Sequence, residues 1–389
     1  MLLASARRKT RLSNAGTDDG WRNRLDLLSE SLHREASLTS LGRTIAHGQL
    51  VSALSNRLRA HALWQRHPEI LNVPIPSPII IVGQMRSGST RMQRLLACDP
   101  RFTFTRFFES WTPLPRTRAW NLLDDRRLRA WFSLRMARFI NPDFDVIHPT
   151  RTAQADEEIG LHNISLYSSA FEAQWRIPSF VAHTEAMDTR PVYREFKRLL
   201  QTLAWLRGDR PNRPQILKVP QFSQDLDAVL AAFPDARLIC LHRDAKALVG
   251  SAASLVHNQM LVQSDRVDRM WIGREWLRKV ALRDRRTNAA RALATVPQVD
   301  VRFDHMQDDW RYEMHRVYRM LDLPLLPKVE AEMTRYLSSR NQARARRHVY
   351  DIADFGISPD DVAAAMASSK RMPQSQRGLT CDTDPAIQK

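Results

Sequence analysis

The sequence predicts a three-layer α/β fold, in which a parallel sheet carries helices on both faces, with a helical prefix at the N-terminus. Short apolar runs, such as residues 79–82 and 236–242, alternate with longer segments whose apolar residues have helical spacing, a pattern typical of parallel sheets. The chain has 389 residues, of which 43% are hydrophobic. This length suffices for one large α/β domain with additions or for two domains, and the composition suffices for a sizeable core.

The N-terminal part of the chain changes character twice. Residues 1–20 are polar and begin with a basic cluster, which predicts a disordered arm. Leucines recur at helical spacing through residues 21–70, so we expect two or three helices there. A segment this short could not bury both helix faces by itself. Residues 21–74 are therefore predicted to pack on a main domain of residues 75–369. The polar tail, residues 370–389, is predicted to be disordered.

The main domain follows an order of strands and helices. A short second strand is expected from Phe102 to near Glu109, and residues 117–140 are predicted to form an arginine-rich amphipathic helix. Three further strands are predicted within residues 215–220, 236–242 and 298–303.

Charge and cysteine content restrict the possible partners. The formal net charge of +17 favours an anionic partner: a nucleic acid, a membrane surface or a polyanionic cofactor. Nucleic acid is not expected, because no known binding module is found and the arginines are scattered. No apolar run approaches the roughly 18–20 residues of a membrane span, so no stable membrane insertion is expected. Three distant cysteines and the lack of a signal-peptide pattern favour a cytoplasmic protein with reduced thiols and no metal.

The stretch from Ile79 to Leu96 has the pattern of a phosphate-binding loop. A buried strand ends at Val82, a turn with glycine at both ends follows, and Ser89 begins a helix. Backbone N–H groups in such a turn point at the ligand, and the helix N-terminus adds partial positive charge.

The loop differs from the version that binds nucleoside triphosphates. That version reads G-x-x-x-x-G-K-[ST], and here Ser89 stands where the lysine should be. The missing cation argues against ATP or GTP, and no Mg²⁺ is expected. Arg86 is the cation of this loop, and its planar donor fork suits a phosphate-like group beside another oxyanion. The fold is therefore predicted to be P-loop-like.

The segment Ile-Val-Gly-Gln-Met-Arg-Ser-Gly-Ser-Thr resembles the 5′-phosphosulfate loop of sulfotransferases that use 3′-phosphoadenosine 5′-phosphosulfate (PAPS). It is more similar to the bacterial branch related to the tyrosylprotein enzymes than to the cytosolic enzymes, whose loop carries lysine. The resemblance implies that PAPS is the cofactor and that its product is adenosine 3′,5′-bisphosphate (PAP). It also implies that the loop residues bind the phosphosulfate: Gly83, Arg86, Ser87, Gly88, Ser89 and Thr90.

A second signal is the pair Arg243 and Ser251. Arg243 follows an apolar strand, at the sheet edge where open α/β folds bind ligands. In the family, an arginine at a strand end and a serine eight residues later hold the 3′-phosphate, and the resemblance implies this role here. The sequence His-Arg-Asp at 242–244 also occurs in kinase catalytic loops, but Val249 stands where these require asparagine.

Two further residues are catalytic candidates. Lys218 ends the strand within residues 215–220, and the family has a lysine there that approaches the bridging oxygen or the sulfuryl group. This chain has Val219 where the family often has serine. Glu109 lies where the tyrosylprotein-like branch carries its general base. Competing bases are found in a later stretch: Asp156, Glu157, Glu158 and His162.

Two C-terminal features complete the resemblance. Residues 344–356 are similar to a basic segment of the bacterial branch, and Arg347 is predicted to help bind the nucleotide. Phe303 stands where the family usually has tyrosine, so ring packing is retained and a hydrogen bond is lost.

The sequence thus predicts a bacterial-type sulfotransferase that moves a sulfuryl group from PAPS to a hydroxyl or amine and releases PAP. Arg86, Lys218 and Glu109 are the predicted catalytic residues. The alternatives are a P-loop nucleotide kinase and a non-catalytic PAP-binding protein. The acceptor, whether a small molecule or a peptide, and the oligomeric state stay open.

Overall fold

The computed structural model describes residues 1–17, 20–116, 124–142, 144–147, 149–209, 213–342 and 351–369. At its centre is a five-stranded sheet with the order β2-β3-β1-β4-β5. Every neighbouring pair of strands is parallel, which confirms the predicted parallel sheet. The strands are β1 (Ile79–Val82), β2 (Thr103–Phe104), β3 (Gln215–Leu217), β4 (Arg237–His242) and β5 (Gln298–Arg302).

Eighteen α-helices surround this sheet in the described part of the chain. Four short 3-10 helices, at residues 68–72, 163–165, 220–223 and 353–355, connect some of them. The α-helices are α1 (Leu2–Thr10), α2 (Trp21–Arg34), α3 (Ser40–Arg66), α4 (Ser89–Leu96), α5 (Phe107–Trp111), α6 (Arg126–Ile140), α7 (Phe144–Ile147), α8 (Ile159–His162), α9 (Ser169–Gln174), α10 (Pro178–Ala186), α11 (Arg190–Arg207), α12 (Leu226–Ala232), α13 (Ala245–Leu261), α14 (Arg269–Leu293), α15 (His305–Asp308), α16 (Trp310–Met320), α17 (Pro327–Gln342) and α18 (Pro359–Ser369).

The central strand β1 shows why the fold has three layers. Successive side chains of a strand point to opposite faces of the sheet. Ile80 and Val82 belong to a core cluster with residues of α11 and α12, whereas Ile79 and Ile81 pack with residues of α4 and α16. All four side chains are buried. A run of β-branched residues is therefore required here, because helices cover both faces of the sheet.

The N-terminal arm is ordered where it was predicted to be disordered. Residues 2–10 form α1, which packs against α3, and Ala6 is fully buried there. Leu2 and Leu3 pack on the same core cluster. The prediction of disorder is wrong for residues 2–10, because a few small and apolar side chains form a face that α3 covers. The tail at 370–389 lies outside the described residues.

Buried arginines of the N-terminal helices contact the rest of the chain. Arg24 of α2 donates from Nε to the carbonyl of Ser165 at 2.9 Å. Arg57 of α3 forms an ion pair with Glu195 of α11 at 2.7 Å. The helical prefix is thus joined to the main domain by charged groups as well as by apolar packing.

Two other predicted elements differ in detail. The second strand contains only two residues, and Glu109 lies in α5 rather than at a strand end. Of the helix predicted at 117–140, α6 covers 126–140, and residues 117–123 lie outside the described part. No helix among the described residues has both the length and the apolar character that crossing a membrane requires.

Candidate active site

The glycine turn between β1 and α4 has a backbone that few residues could adopt. Arg86 and Gly88 both have positive φ, at 72° and 92°. A Cβ atom on Gly88 would lie 2.8 Å from Cδ2 of Phe303. Position 88 therefore requires glycine for two reasons: its left-handed backbone and the ring packed against it. The turn ends at the N-terminus of α4, where free N–H groups attract anions.

Arg86 joins the loop to the second predicted motif. Its Nε atom donates to the hydroxyl of Ser251, 2.9 Å away in α13. Arg243, which follows β4, donates from Nη1 to the carbonyl oxygen of Arg86 at 2.6 Å. Since β1 and β4 are neighbours in the sheet, the loop and the pair Arg243 and Ser251 meet at one edge. The two motifs therefore lie side by side at this edge of the sheet.

Phe303 supports both arginine and glycine at this edge. The guanidinium of Arg243 lies over the Phe303 ring, 4.2 Å from its centroid, a favourable cation–π arrangement. The backbone N–H of Phe303 donates to the carbonyl of His242 at 2.8 Å, which fixes the ring beside β4. Phenylalanine in place of tyrosine therefore preserves a packing role, because the ring holds Arg243 and adjoins Gly88.

Lys218 brings a third cation to the loop. Its side chain is only 2% exposed, and its ammonium group donates to the hydroxyl of Thr90 at 3.1 Å. Thr90 lies in the first turn of α4. The same ammonium group forms an ion pair with the carboxylate of Glu157. Lys218 thus lies beside the phosphate-binding turn, as predicted, and the Glu157 carboxylate lies next to it.

The acidic stretch at 156–158 places one carboxylate at the site and buries two. Asp156 accepts from the Thr150 hydroxyl at 2.9 Å and from the backbone N–H of Glu157 at 2.8 Å. Glu158 is fully buried and accepts from the backbone N–H of Lys218 at 2.8 Å. Burial raises the pKa of Glu158 to about 8, with the Lys218 N–H opposing this shift. Glu157 is therefore the member of this stretch whose side chain contacts Lys218.

His162, another competing base, is a core residue. It is 1% exposed, and its ring stacks on Phe196 with centroids 4.6 Å apart. Burial lowers its pKa to about 3, so the imidazole is neutral at physiological pH.

Glu109 is held by arginines. It is fully buried in α5, and one carboxylate oxygen accepts from the backbone N–H of Arg106 at 2.8 Å, forming a capping box. The arginine side chains of 106 and 207 contact this carboxylate at 3.1 and 3.2 Å. Within the described part of the chain these contacts do not connect Glu109 with Lys218 or the loop. Its role as base stays a prediction, and Arg347 lies outside the described residues.

The arrangement offers several donors to an anionic ligand. The turn and the N-terminus of α4 supply backbone donors, with Lys218 beside them, and Arg243 and Ser251 both contact Arg86. Charge-assisted hydrogen bonds from such donors are the strongest that proteins offer to phosphate groups. In the described ranges, no group of three or more His, Cys, Asp or Glu side chains could hold a metal ion.

Comparison with known proteins identifies relatives of this architecture. Residues 78–327 match the model of the Sulfotransferase family. The crystal structure of sulfotransferase STF1 from Mycobacterium tuberculosis H37Rv is 27% identical, with 94% of this chain and 97% of that chain covered and a TM-score of 0.77. Sulfotransferase STF9 from Mycobacterium avium is 25% identical, with 94% of each chain covered and a TM-score of 0.83. No curated protein matches the sequence.

Proposed function

This chain belongs to the sulfotransferase family, and we propose that it transfers the sulfuryl group of PAPS to a hydroxyl or amine acceptor, releasing PAP. One observation carries the choice of donor: Arg86 contacts both Arg243 and Ser251. This contact supports the proposal, because the loop and the residue pair that the sequence resemblance assigns to the two ends of PAPS lie next to each other.

The donor would lie across Arg86. Its 5′-phosphosulfate would rest on the backbone donors of the turn and of α4, and its 3′-phosphate beside Arg243 and Ser251. A serine hydroxyl has one donor and two acceptor lone pairs. Ser251 can therefore accept from Arg86 and donate to the 3′-phosphate simultaneously. The Phe303 ring under Arg243 restricts that guanidinium and reduces the entropy it would lose on binding.

The transfer itself is a displacement at sulfur. The acceptor oxygen or nitrogen forms a bond to sulfur, and the bond between sulfur and the bridging oxygen breaks. The electron pair remains on the 5′-phosphate of PAP. Lys218, next to Thr90 at the start of α4, would stabilise the negative charge that develops on the bridging oxygen.

The acceptor's proton needs a base close to this centre. We propose Glu157 for this role, because its carboxylate already contacts the Lys218 ammonium. Glu109 is the alternative that the family resemblance implies, although arginines hold both of its oxygens. When the donor binds, Lys218 would exchange its contact with Glu157 for a contact with the donor. The freed Glu157 carboxylate would then receive the acceptor's proton.

Label transfer tests the proposal. The protein is incubated with ³⁵S-labelled PAPS and a panel of alcohols, phenols and amines, and both labelled product and PAP are quantified. We expect PAP release in proportion to labelled product, and loss of both in Lys218→Ala. PAPS that binds but is never turned over would support a non-catalytic binding protein, and phosphoryl transfer from ATP with Mg²⁺ would support a kinase.

A further inference from the structure

Helix α6 turns its large apolar side chains toward solvent. These residues recur three or four positions apart, which places them along one side of the helix. Trp131 and Phe132 contact each other in an edge-to-face arrangement. The exposed side chains are Leu128 at 60%, Trp131 at 46%, Phe132 at 59%, Met136 at 57% and Phe139 at 83%.

The opposite side of α6 packs on the protein. Ala130 and Leu134 are buried and form a small cluster with Phe107 and Phe108 of α5. An ordinary surface helix buries its larger apolar residues and exposes polar ones. Here only two apolar residues are buried while five large ones are exposed, and a contiguous apolar patch of this kind marks an interaction surface.

Positive charges outnumber negative ones around this patch. The sequence of α6 contains five arginines and no acidic residue. Three of these arginines form ion pairs with flanking aspartates: Arg126 with Asp124, Arg129 with Asp125 and Arg138 with Asp145. Arg135 lies over the Trp131 ring, 5.5 Å from its centroid, and Arg127 lies over Phe108 at 6.0 Å. Both of these arginines are exposed. A partner that covers α6 must therefore accept aromatic side chains and guanidinium groups together.

More cations gather beside the start of the helix. Arg129 is close to Arg59 of α3 and to Arg116. Burial, and then the charges of these three arginines, lower the pKa of Lys9 in α1. Burial, and then these neighbouring cations, lower the pKa of Arg129 to about 10, while the Asp125 carboxylate opposes the shift. Four segments of the chain thus bring four cations together with two carboxylates, Asp124 and Asp125, so positive charge exceeds negative charge at this end of the patch.

We propose that α6 docks this protein onto an anionic lipid surface. The helix would lie in the plane of the interface, with Leu128, Phe132 and Phe139 entering the acyl boundary and the exposed Arg127 and Arg135 contacting lipid phosphates. Helices that lie on membranes combine an aromatic and aliphatic side with flanking arginines and lysines, and anionic headgroups attract such cations. A second copy of this chain is a poorer occupant, because a two-fold contact would bring arginine-rich helices together.

Vesicle co-sedimentation without nucleotide tests this proposal separately from the proposed function. The full chain is mixed with vesicles of phosphatidylcholine, with or without phosphatidylglycerol. We expect binding only when phosphatidylglycerol is present. Phe132→Ser with Phe139→Ser should weaken it at least about tenfold, since two large apolar side chains leave the lipid. The matched control, Leu261→Ser with Leu293→Ser, removes side chains that are 54% and 85% exposed elsewhere and should bind like the wild type.

A second pair of variants tests the electrostatic part of the lipid-docking proposal. Arg127→Glu with Arg135→Glu reverses two charges on α6, whereas Arg274→Glu with Arg285→Glu makes the same change in net charge on exposed residues of α14. We expect the α6 variant to lose at least about tenfold in vesicle affinity and the α14 variant much less. Unchanged circular dichroism would show that the variants fold.

Three results would overturn the proposal. The first is no binding to vesicles that contain phosphatidylglycerol, and the second is equal loss in the α6 and α14 charge variants. The third is a wild-type dimer in light scattering that Phe132→Ser with Phe139→Ser converts to monomer, without vesicle binding in either protein. That last outcome would assign the patch to a second copy of this chain.

Discussion

Arg86 donates a hydrogen bond from Nε to the hydroxyl of Ser251 at 2.9 Å, although 165 positions separate the two residues. The contact joins the turn after β1 to the second turn of α13. In the proposed complex it lies between the 5′-phosphosulfate and the 3′-phosphate of the donor. In that complex, the side chains that would recognise the two ends of the nucleotide also fix each other's position.

Arg243→Ala tests recognition of the 3′-phosphate. Because a hydrogen bond to a charged group contributes about 1.5–3 kcal/mol, the variant should bind PAP roughly tenfold to a hundredfold more weakly. Adenosine 5′-phosphosulfate, which lacks the 3′-phosphate, should be affected much less. Calorimetric titration measures both affinities, with Arg302→Ala, at an exposed position of β5, as control. Equal loss for the two ligands would contradict the assignment.

Gly88→Ala tests the shape of the loop. The new Cβ would lie 2.8 Å from the Phe303 ring, at a backbone φ of 92°. Gly208→Ala is the matched control, since it has φ 64° but no atom within 4 Å of the new Cβ. We expect both variants to lose about 1–2 kcal/mol of stability from the left-handed backbone. Only Gly88→Ala should also lose PAP affinity; similar affinities for the two would show that the close approach to Phe303 is unimportant.

Glu157→Gln separates the two candidate bases. A base in reach of the acceptor contributes about 10²–10⁴-fold to turnover, so this variant should lose that factor while PAP affinity is maintained or increased. Glu109→Gln should mainly lower the melting temperature, because the neutral amide weakens contacts with Arg106 and Arg207. Turnover is measured with an acceptor found by label transfer. Wild-type turnover in Glu157→Gln, with a well-folded but inactive Glu109→Gln, would transfer the role to Glu109.

Glu158 gives a prediction about pH. Its folded-state pKa of about 8 exceeds the usual value of 4.5, so the folded protein retains a proton that the unfolded chain releases between these values. The contribution of Glu158 to the free energy of unfolding is complete below about pH 4.5 and is lost as the pH rises through 8. Urea unfolding across this range should show the wild type losing stability relative to Glu158→Gln. A constant difference would mean that Glu158 has an ordinary pKa.

Local features of the site could be predicted from the sequence. The strand, the glycine turn and the helix start after Ile79 are encoded within a few neighbouring residues. The convergence of Arg86 and Arg243 followed from a general rule, since both residues come after parallel strands whose carboxyl ends share one edge.

Long-range contacts could not be predicted in the same way. The sequence offers several acidic residues as the base. Glu157 is distinguished from the others only because the segment before α8 packs against Lys218, which directly follows β3. Helix α1 is ordered because it packs against α3, which covers Ala6. The periodicity of α6 predicted an amphipathic helix, but which side faces solvent is decided by its packing on α5.

Titration of the wild-type protein with PAP in the presence of EDTA tests whether this site recognises a 3′,5′-bisphosphate without a metal. We expect saturable binding at one site per chain, unchanged by Mg²⁺, because Ser89 replaces the lysine that triphosphate loops require. AMP, which lacks the 3′-phosphate, should bind at least about tenfold more weakly. PAP binding that EDTA abolishes, equal affinity for AMP and PAP, or preferential binding of ATP with Mg²⁺ would refute the proposed donor site.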